Sequence, residues 1–363
     1  MSMPPNDAIN LSQVTRALVV KLRHHGDVLL TSPVFQVLKN RVPLAQIDAL
    51  VYADTRDMLT GHPALTNVYT IDRAWKREPP WTRLAHEWRL LRELRARRYD
   101  LLIHLTESYR GAWLAQWLTP RFSVAQRYPG KRGRFWNGSF THVYPIPGRL
   151  RHRVEIHLDA LRRLGIYPSA EERRLLLLPG ADAERSVDAL LTEHGLTPRG
   201  FVHLHPTSRW LFKCWEVDKY AALIDALHAS GHRIVVTAAP AEHELGFVQA
   251  VLRGARAPVV DLSGKLSLKQ LAALTQRARV FVGVDSVPMH IAAAMQTPVV
   301  VLFGPSGDLE WGPWQVRAQV ITLGYSCRPC GLDGCGGGKV SDCLTDISVD
   351  QVLTAVRALA QAA

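Results

Sequence analysis

Three short stretches of the 363-residue chain combine side chains able to do chemistry. The first, Lys21-Leu22-Arg23-His24-His25-Gly26-Asp27, ends with a carboxylate on a glycine-containing turn. A carboxylate within reach of a substrate hydroxyl can act as a general base. After a glycine it more often caps a helix or a turn, and position alone favours that plainer role. The second, His205-Pro206-Thr207-Ser208-Arg209-Trp210, is followed by Lys213-Cys214-Trp215. Hydroxyls, backbone N–H groups and a lysine in so short a span suit a phosphate. Trp210 and Trp215 read as packing residues rather than base stackers. The third, Gly283-Val284-Asp285-Ser286-Val287-Pro288-Met289-His290, leads into Ile291-Ala292-Ala293-Ala294. Here Asp285 or Ser286 caps a helix whose first N–H groups favour an anion, and His290 lies four or five residues into it. Taken singly, Asp285 is a plain cap and His290 a satisfied buried histidine.

These stretches gain meaning from the elements that hold them. Residues 16–22 read as a buried strand and 32–40 as a helix, with Pro33 in the first turn, where a missing N–H costs nothing. Further strands are predicted at 47–52, 68–71 and 100–104, the last preceded by a helix over 81–98 with basic residues at 83, 89, 92, 95, 97 and 98. The second half repeats the pattern. Strands are predicted at 201–205, 233–237, 259–262, 280–283 and 299–303, with helices at 217–230, 242–253, 268–277 and 287–295. Alternating strands and helices require parallel sheets covered by helices, because a parallel crossover consumes a dozen residues or so. The expectation is an α/β protein of two Rossmann-like domains, residues 1–180 and 181–348, with the boundary in the Pro/Gly-rich and charged stretch 168–183. A last helix within 349–363 is expected to pack back on the first domain. In such sheets ligands sit at the carboxyl ends of strands, where all three stretches fall.

A composition of 47% hydrophobic and 21% charged residues is that of a folded protein and argues against disorder, collagen or a coiled coil. No apolar run approaches the roughly 20 residues of a membrane span, and residues 1–10 are too polar for a secretory signal, so a cytoplasmic location is expected. The net charge of +12 is unevenly placed. Residues 1–180 hold 28 Lys/Arg against 15 Asp/Glu, whereas 181–363 hold 16 against 17. The first half is therefore expected to meet an anionic partner, such as a phosphorylated substrate, nucleic acid or an acidic membrane surface.

Neither the Walker pattern nor Gly-x-Gly-x-x-Gly occurs, which weakens ATPase and dehydrogenase readings. Asp-x-Asp, the pair that often holds a divalent cation on a nucleotide diphosphate, is also missing from the sequence. Leaving-group charge then falls to Lys213, hydroxyls and helix ends. Four of the five cysteines, Cys327, Cys330, Cys335 and Cys343, share a glycine-rich loop. The first pair has zinc-ligand spacing but the second is spread over eight residues, so reduced loop thiols are preferred to a structural zinc.

Together, Gly26-Asp27 after the first strand, His-Pro-Thr-Ser-x-x-x-x-Lys-x-Trp from His205 to Trp215, and Gly-Val-Asp-Ser-x-x-x-His-x-Ala-Ala from Gly283 to Ala293 resemble the lipopolysaccharide core heptosyltransferases. The likeness spans nearly the whole chain. The Arg23-to-Asp27 loop and the Arg209-to-Trp215 segment look most like the subgroup that adds the branching third heptose. The resemblance implies a GT-B fold, two Rossmann-like domains facing a central cleft, with ADP-heptose held mainly by the second and a lipid-anchored acceptor by the first. It makes Asp27 the catalytic base and Lys21 an acceptor-side cation. It assigns Thr207, Ser208 and Lys213 to the diphosphate, Glu242 to the ribose, and Asp285, Ser286 and His290 to the heptose and phosphate end of the donor. Arg56, Arg110, Arg127, Lys131 and Arg134 become acceptor-side candidates. The implied reaction is inverting and needs neither metal nor cofactor. The implied partners are ADP-heptose, the lipopolysaccharide core and the cytoplasmic face of the inner membrane, without nucleic acid. Rival readings are a GT-B transferase using another nucleotide sugar, a basic nucleic-acid-binding protein, and a noncatalytic membrane-surface module suggested by Trp75, Trp81 and Trp88.

Overall fold

A computed structural model describes residues 7–128, 130, 133–146 and 148–361. The chain divides between Leu176 and Leu177 into two compact units.

The first unit runs β1 (Arg16–Val20), α1 (His25–Leu29), α2 (Ser32–Arg41), β2 (Gln46–Tyr52), β3 (Asn67–Ile71) and α3 (Pro80–Ala96). It continues with β4 (Leu101–His104), α4 (Arg110–Leu118), β5 (Phe122–Gln126), α5 (Arg134–Gly138), β6 (His142–Tyr144) and α6 (Arg153–Arg163). All pairings are parallel, in the order β3-β2-β1-β4-β5-β6. Ala17 to Val20 and all of β4 are buried, as strands covered on both faces require. Leu90 and Leu94 of α3, with Ala112, Leu114, Ala115 and Leu118 of α4 and Trp136 of α5, fill the core over one part of the sheet. Strands β5 and β6 and helices α4, α5 and α6 are not among the elements predicted from the sequence. Both strands are short and carry polar residues, Ser123, Gln126 and His142, whose side chains are buried by the fold rather than by their own hydropathy.

The second unit runs α7 (Ala181–Glu193), β7 (Phe201–His205), α8 (Val217–Ala229), β8 (Arg233–Val236), α9 (Glu242–Gly254), β9 (Val260–Asp261) and α10 (Leu268–Arg277). It ends with β10 (Val280–Val284), α11 (Val287–Ala294), β11 (Val299–Leu302), α12 (Asp308–Trp311), β12 (Ala318–Ile321), α13 (Asp342–Thr345) and α14 (Val349–Gln361). Its parallel sheet has the order β12-β11-β10-β7-β8-β9. Read from its own first strand, this is the same 3-2-1-4-5-6 arrangement as in the first unit, the doubly wound dinucleotide-type order. Helix α10 begins with a capping box, Ser267 and Gln270 satisfying each other's backbone N–H groups.

The last helix belongs to the second unit. Val352, Leu353, Val356 and Leu359 of α14 sit in the core of the second unit with Leu223 and Leu227 of α8 and Val300 and Leu302 of β11. Its apolar stripe covers the β10–β12 side of that sheet, whose edge strand β12 is largely exposed and escaped prediction. Among the described residues no helix is long and apolar enough to cross a membrane.

Candidate functional site

In each unit the strand order reverses at one point, β1/β4 in the first and β7/β10 in the second. Two diverging loops leave a crevice there, and ligands of doubly wound sheets bind in it. The chemistry-bearing residues of the sequence cluster at these two points.

Beyond β1, Leu22 N–H bonds Thr106 Oγ1 at 2.8 Å, which ties the loop after β1 to the loop after β4. Lys21 is buried between them. Its Nζ has three acceptors, Leu105 O at 3.1 Å, His157 Nε2 at 3.0 Å and Asp27 Oδ1 at 3.3 Å. Three acceptors match the three N–H bonds of an ammonium. Burial pulls the Lys21 ammonium below its ordinary range, and the Asp27 carboxylate opposes that shift. The His157 ring is held neutral by burial and by the Lys21 charge. Its Nδ1 lies 3.1 Å from Leu30 O, so that nitrogen carries the proton and Nε2 accepts from Lys21. Asp27 stands in the first turn of α1 with its side chain about one-fifth exposed, oriented by the lysine yet open to a substrate. The resemblance implies that Lys21 is an acceptor-side cation; in the structure its ammonium is paired with Asp27. His157 was missed, although a histidine on the apolar stripe Val154, Leu158 and Leu161 of α6 is a readable signal.

The acceptor-side candidates divide. Arg110 is engaged by Glu87 through two bonds of 2.6 and 2.7 Å, which join α4 to α3. Arg56, on the turn after β2, and Arg127, just after β5, are exposed at carboxyl ends of strands, as is Arg134 at the start of α5. None of these three has a carboxylate partner among the described residues; Lys131 lies outside them. His25 Nε2 is 2.8 Å from Asp54 O, and Arg23 pairs with Glu107 at 3.1 Å, so that loop is fixed from two sides.

At the second switch point, Lys213 Nζ lies 2.6 Å from Asp285 Oδ2, joining the loop after β7 to the end of β10. Gly283 lets the two strands close: a Cβ there would stand 2.8 Å from the Phe281 ring and 3.0 Å from His205 O. Thr207 is buried and donates to Glu244 Oε2 at 2.7 Å. Glu244 is itself buried on α9, whereas Glu242, assigned to the ribose by resemblance, is exposed two residues earlier. The structure thus sets Glu244, not Glu242, beside the Thr207 loop. Behind it, the Thr237 hydroxyl lies 2.7 Å from His203 Nε2 and 2.8 Å from His205 Nδ1. Burial lowers both rings to about 3, so they are neutral packing and hydrogen-bonding groups. Ser208 is buried in the same loop.

Ser286 occupies the N-cap position of α11 but makes no side-chain cap; its hydroxyl bonds Val284 O at 3.3 Å. This corrects the expected cap and leaves the first turn of α11 without a side-chain oxygen on its N–H groups. His290 is buried on α11. Trp215 is buried and bonds Ile347 O, but Trp210 is half exposed, against its reading as a packing residue. None of the five cysteines is joined in a disulfide among the described residues. Among the described residues no three His, Cys, Asp or Glu side chains are placed to hold a metal ion, although burial raises the Cys343 thiol pKa and Cys335, Cys330 and Cys327 lie near enough to add to that rise.

An oriented carboxylate after β1 can remove a proton. A lysine, hydroxyls and a helix start after β7 and β10 can balance the charge of a departing phosphate. Two doubly wound units with this division of labour define a GT-B glycosyltransferase. The family described as glycosyltransferase family 9 (heptosyltransferase) matches residues 87–340, and the chain belongs to it. Lipopolysaccharide heptosyltransferase 3 of Escherichia coli is 38% identical over 294 residues, covering 81% of this chain and 84% of that one. Lipopolysaccharide heptosyltransferase 2 of E. coli K12 is 27% identical over 95% of this chain and 98% of its own. The crystal structure of a family 9 glycosyltransferase from Veillonella parvula superimposes with a TM-score of 0.83, at 22% identity, over 99% of this chain and all of that one.

Proposed function

We propose that the protein moves heptose from ADP-heptose to the inner core of lipopolysaccharide, adding the branching third heptose, in one inverting displacement without a metal. The observation that carries this is the Lys21–Asp27 pair at the first switch point, matched by Lys213–Asp285 at the second. Asp27 takes the proton from an acceptor heptose hydroxyl. That oxygen bonds to the donor's anomeric carbon as its bond to the β-phosphate breaks, with inversion. The charge growing on ADP is met by Lys213 and the N–H groups at the start of α11. Thr207 and Ser208 line the diphosphate side, Glu244 through Thr207 orders the nucleotide side, and Asp285 and His290 face the sugar. Arg56 and Arg127 meet phosphate or carboxylate of the acceptor, consistent with the excess positive charge of the first half. The acceptor is lipid-anchored, and the enzyme works on the cytoplasmic face of the inner membrane.

A transfer assay with ADP-heptose and defined truncated core acceptors, read by mass spectrometry, tests the reading. One added heptose at a branch position is expected; transfer only from UDP- or GDP-sugars, or to a linear position, would replace it. Thermal shift with ADP, UDP and GDP separates the donor classes independently, ADP being expected to stabilise most.

A further inference from the structure

The outward face of α3 carries a stripe unlike the surface of a soluble helix. Trp81, Leu84 and Trp88 are 74%, 68% and 53% exposed, and the stripe continues through Arg92 and Arg95. Leu90 and Leu94 point the other way, into the core. The helix is therefore apolar on two faces, only one of which the fold buries. Beside it, α4 exposes Trp113 and Trp117, and the two helices are joined by the Trp88–Trp117 edge contact at 5.6 Å and by Arg95 over the Trp117 ring at 5.2 Å. Where these helices end they border an open, shallow cavity of about 740 Å³ lined by Trp88, Arg92, Arg95, Arg98, Trp117 and Arg121. None of these four arginines has a carboxylate partner among the described residues. The acids nearby are engaged: Glu87 by Arg110, Glu93 by Arg89, and Asp100 by the backbone and hydroxyl of Thr15 and by Arg16 N–H. The helix dipole accounts for cations at the end of α3 but not for exposed tryptophans beside them.

We propose that this face of the first unit docks on an anionic phospholipid bilayer, with the cavity arginines on lipid phosphates and Trp81, Leu84, Trp88 and Trp113 in the headgroup–acyl boundary. Tryptophan and arginine are the side chains that settle at that depth, and each cation near an anionic leaflet strengthens attachment. The cavity is not the acceptor-sugar site. It lies at the amino ends of β4 and β5, beside Asp100 and Arg121, whereas Lys21 and Asp27 follow the carboxyl end of β1. A second copy of this chain fits the patch poorly, because a two-fold contact would set unpaired arginines against one another. The proposal deepens the reading of a lipid-anchored acceptor and rests on it for its purpose, though not for its test.

Flotation of the full chain with vesicles of phosphatidylcholine alone, and with about 30% phosphatidylglycerol added, decides it. Binding is expected only to the anionic vesicles and should weaken with salt. Arg92→Glu/Arg95→Glu and Trp81→Ala/Trp88→Ala should each reduce vesicle binding about tenfold or more. Their thermal unfolding and their transfer to a water-soluble, delipidated core acceptor should stay at the unsubstituted level. Variants that float like the parent, binding indifferent to lipid charge, patch-dependent dimers in solution, or patch-dependent RNA binding in place of vesicle binding would each overturn the docking surface. If the parent floats as expected but transfers no heptose to the soluble acceptor, the surface stands and the transferase reading falls instead.

Discussion

Nε2 of His157 lies 3.0 Å from Nζ of Lys21, and Lys21 in turn reaches Asp27. With the proton of His157 committed to Leu30 O, the ring can only accept. His157 is thus a positioning residue that keeps a buried lysine charged beside the proposed base. His157→Ala removes one of the three acceptors of the ammonium and should lower the Lys21 pKa further than burial already does. Lys21 then loses its proton at lower pH, so the alkaline limb of the kcat/KM profile should move to lower pH, with kcat down about tenfold. His157→Gln, able to accept through its amide oxygen, should recover part of both. An unmoved pH profile would reduce His157 to a packing role.

Asp27→Asn keeps the shape of the side chain and removes its basicity. Turnover should fall by about 10²–10⁴, the usual worth of a general base. ADP affinity by calorimetry should hardly change, since the proposed donor residues belong to the other unit. Substantial remaining turnover would take Asp27 out of the base role.

Lys213→Ala should lower kcat by about 10²–10³, as expected for loss of one group that meets developing charge. It also leaves Asp285, largely buried, without its cation. Lys213→Arg should not restore activity, because a planar fork does not replace a compact ammonium at this site. Steady-state kinetics of the two variants checks both statements, and unchanged kcat in Lys213→Ala would refute the assignment.

Glu242 and Glu244 give a direct contrast on one helix. Glu244→Gln weakens the bond that fixes Thr207 and should raise the ADP dissociation constant about tenfold, in keeping with loss of a charge-assisted hydrogen bond. Glu242→Gln, exposed on the first turn, should bind ADP like the parent. The reverse result would return the nucleotide side of the site to Glu242.

His203 and His205, lowered by burial to about 3, set an acid limit on folding. In the unfolded chain both would titrate near 6.5, so below that pH the unfolded state binds more protons than the native one. Their contribution to stability is complete above about 6.5 and is lost as pH falls toward 3. The loss should reach roughly 2 kcal/mol per histidine by pH 5. Urea unfolding at pH 7, 6 and 5 measures it, and equal midpoints at the three values would contradict the burial of these rings.

Much of this molecule was readable from residue order, and the gaps have physical causes. The strands ending at Val20, His205 and Val284 stand out because apolar runs buried on both faces need no partner to be recognised. Asp27, Lys213 and Asp285 could be singled out because they lie beyond those strands, but only the resemblance gave them roles. What joins them could not be read, since Lys21 meets His157 across 136 positions, a pairing created only when α6 returns to the sheet. The same holds for Thr207 and Glu244, where two nearby acids differ only in which side of α9 they occupy. For the last helix an amphipathic stripe announces that it packs, not on what. Short strands such as His142–Tyr144 carry too few residues for any period to show.

The placement of α14 also bears on how such an enzyme can be altered. Because that helix stays with the sheet before it, each unit is an uninterrupted segment, and the polypeptide passes between them at Leu176 and Leu177. Cutting the gene there severs one covalent link and no sheet. The halves are therefore candidates for separate expression and for exchange with those of relatives, so that a new first half could be grafted onto an unchanged second one.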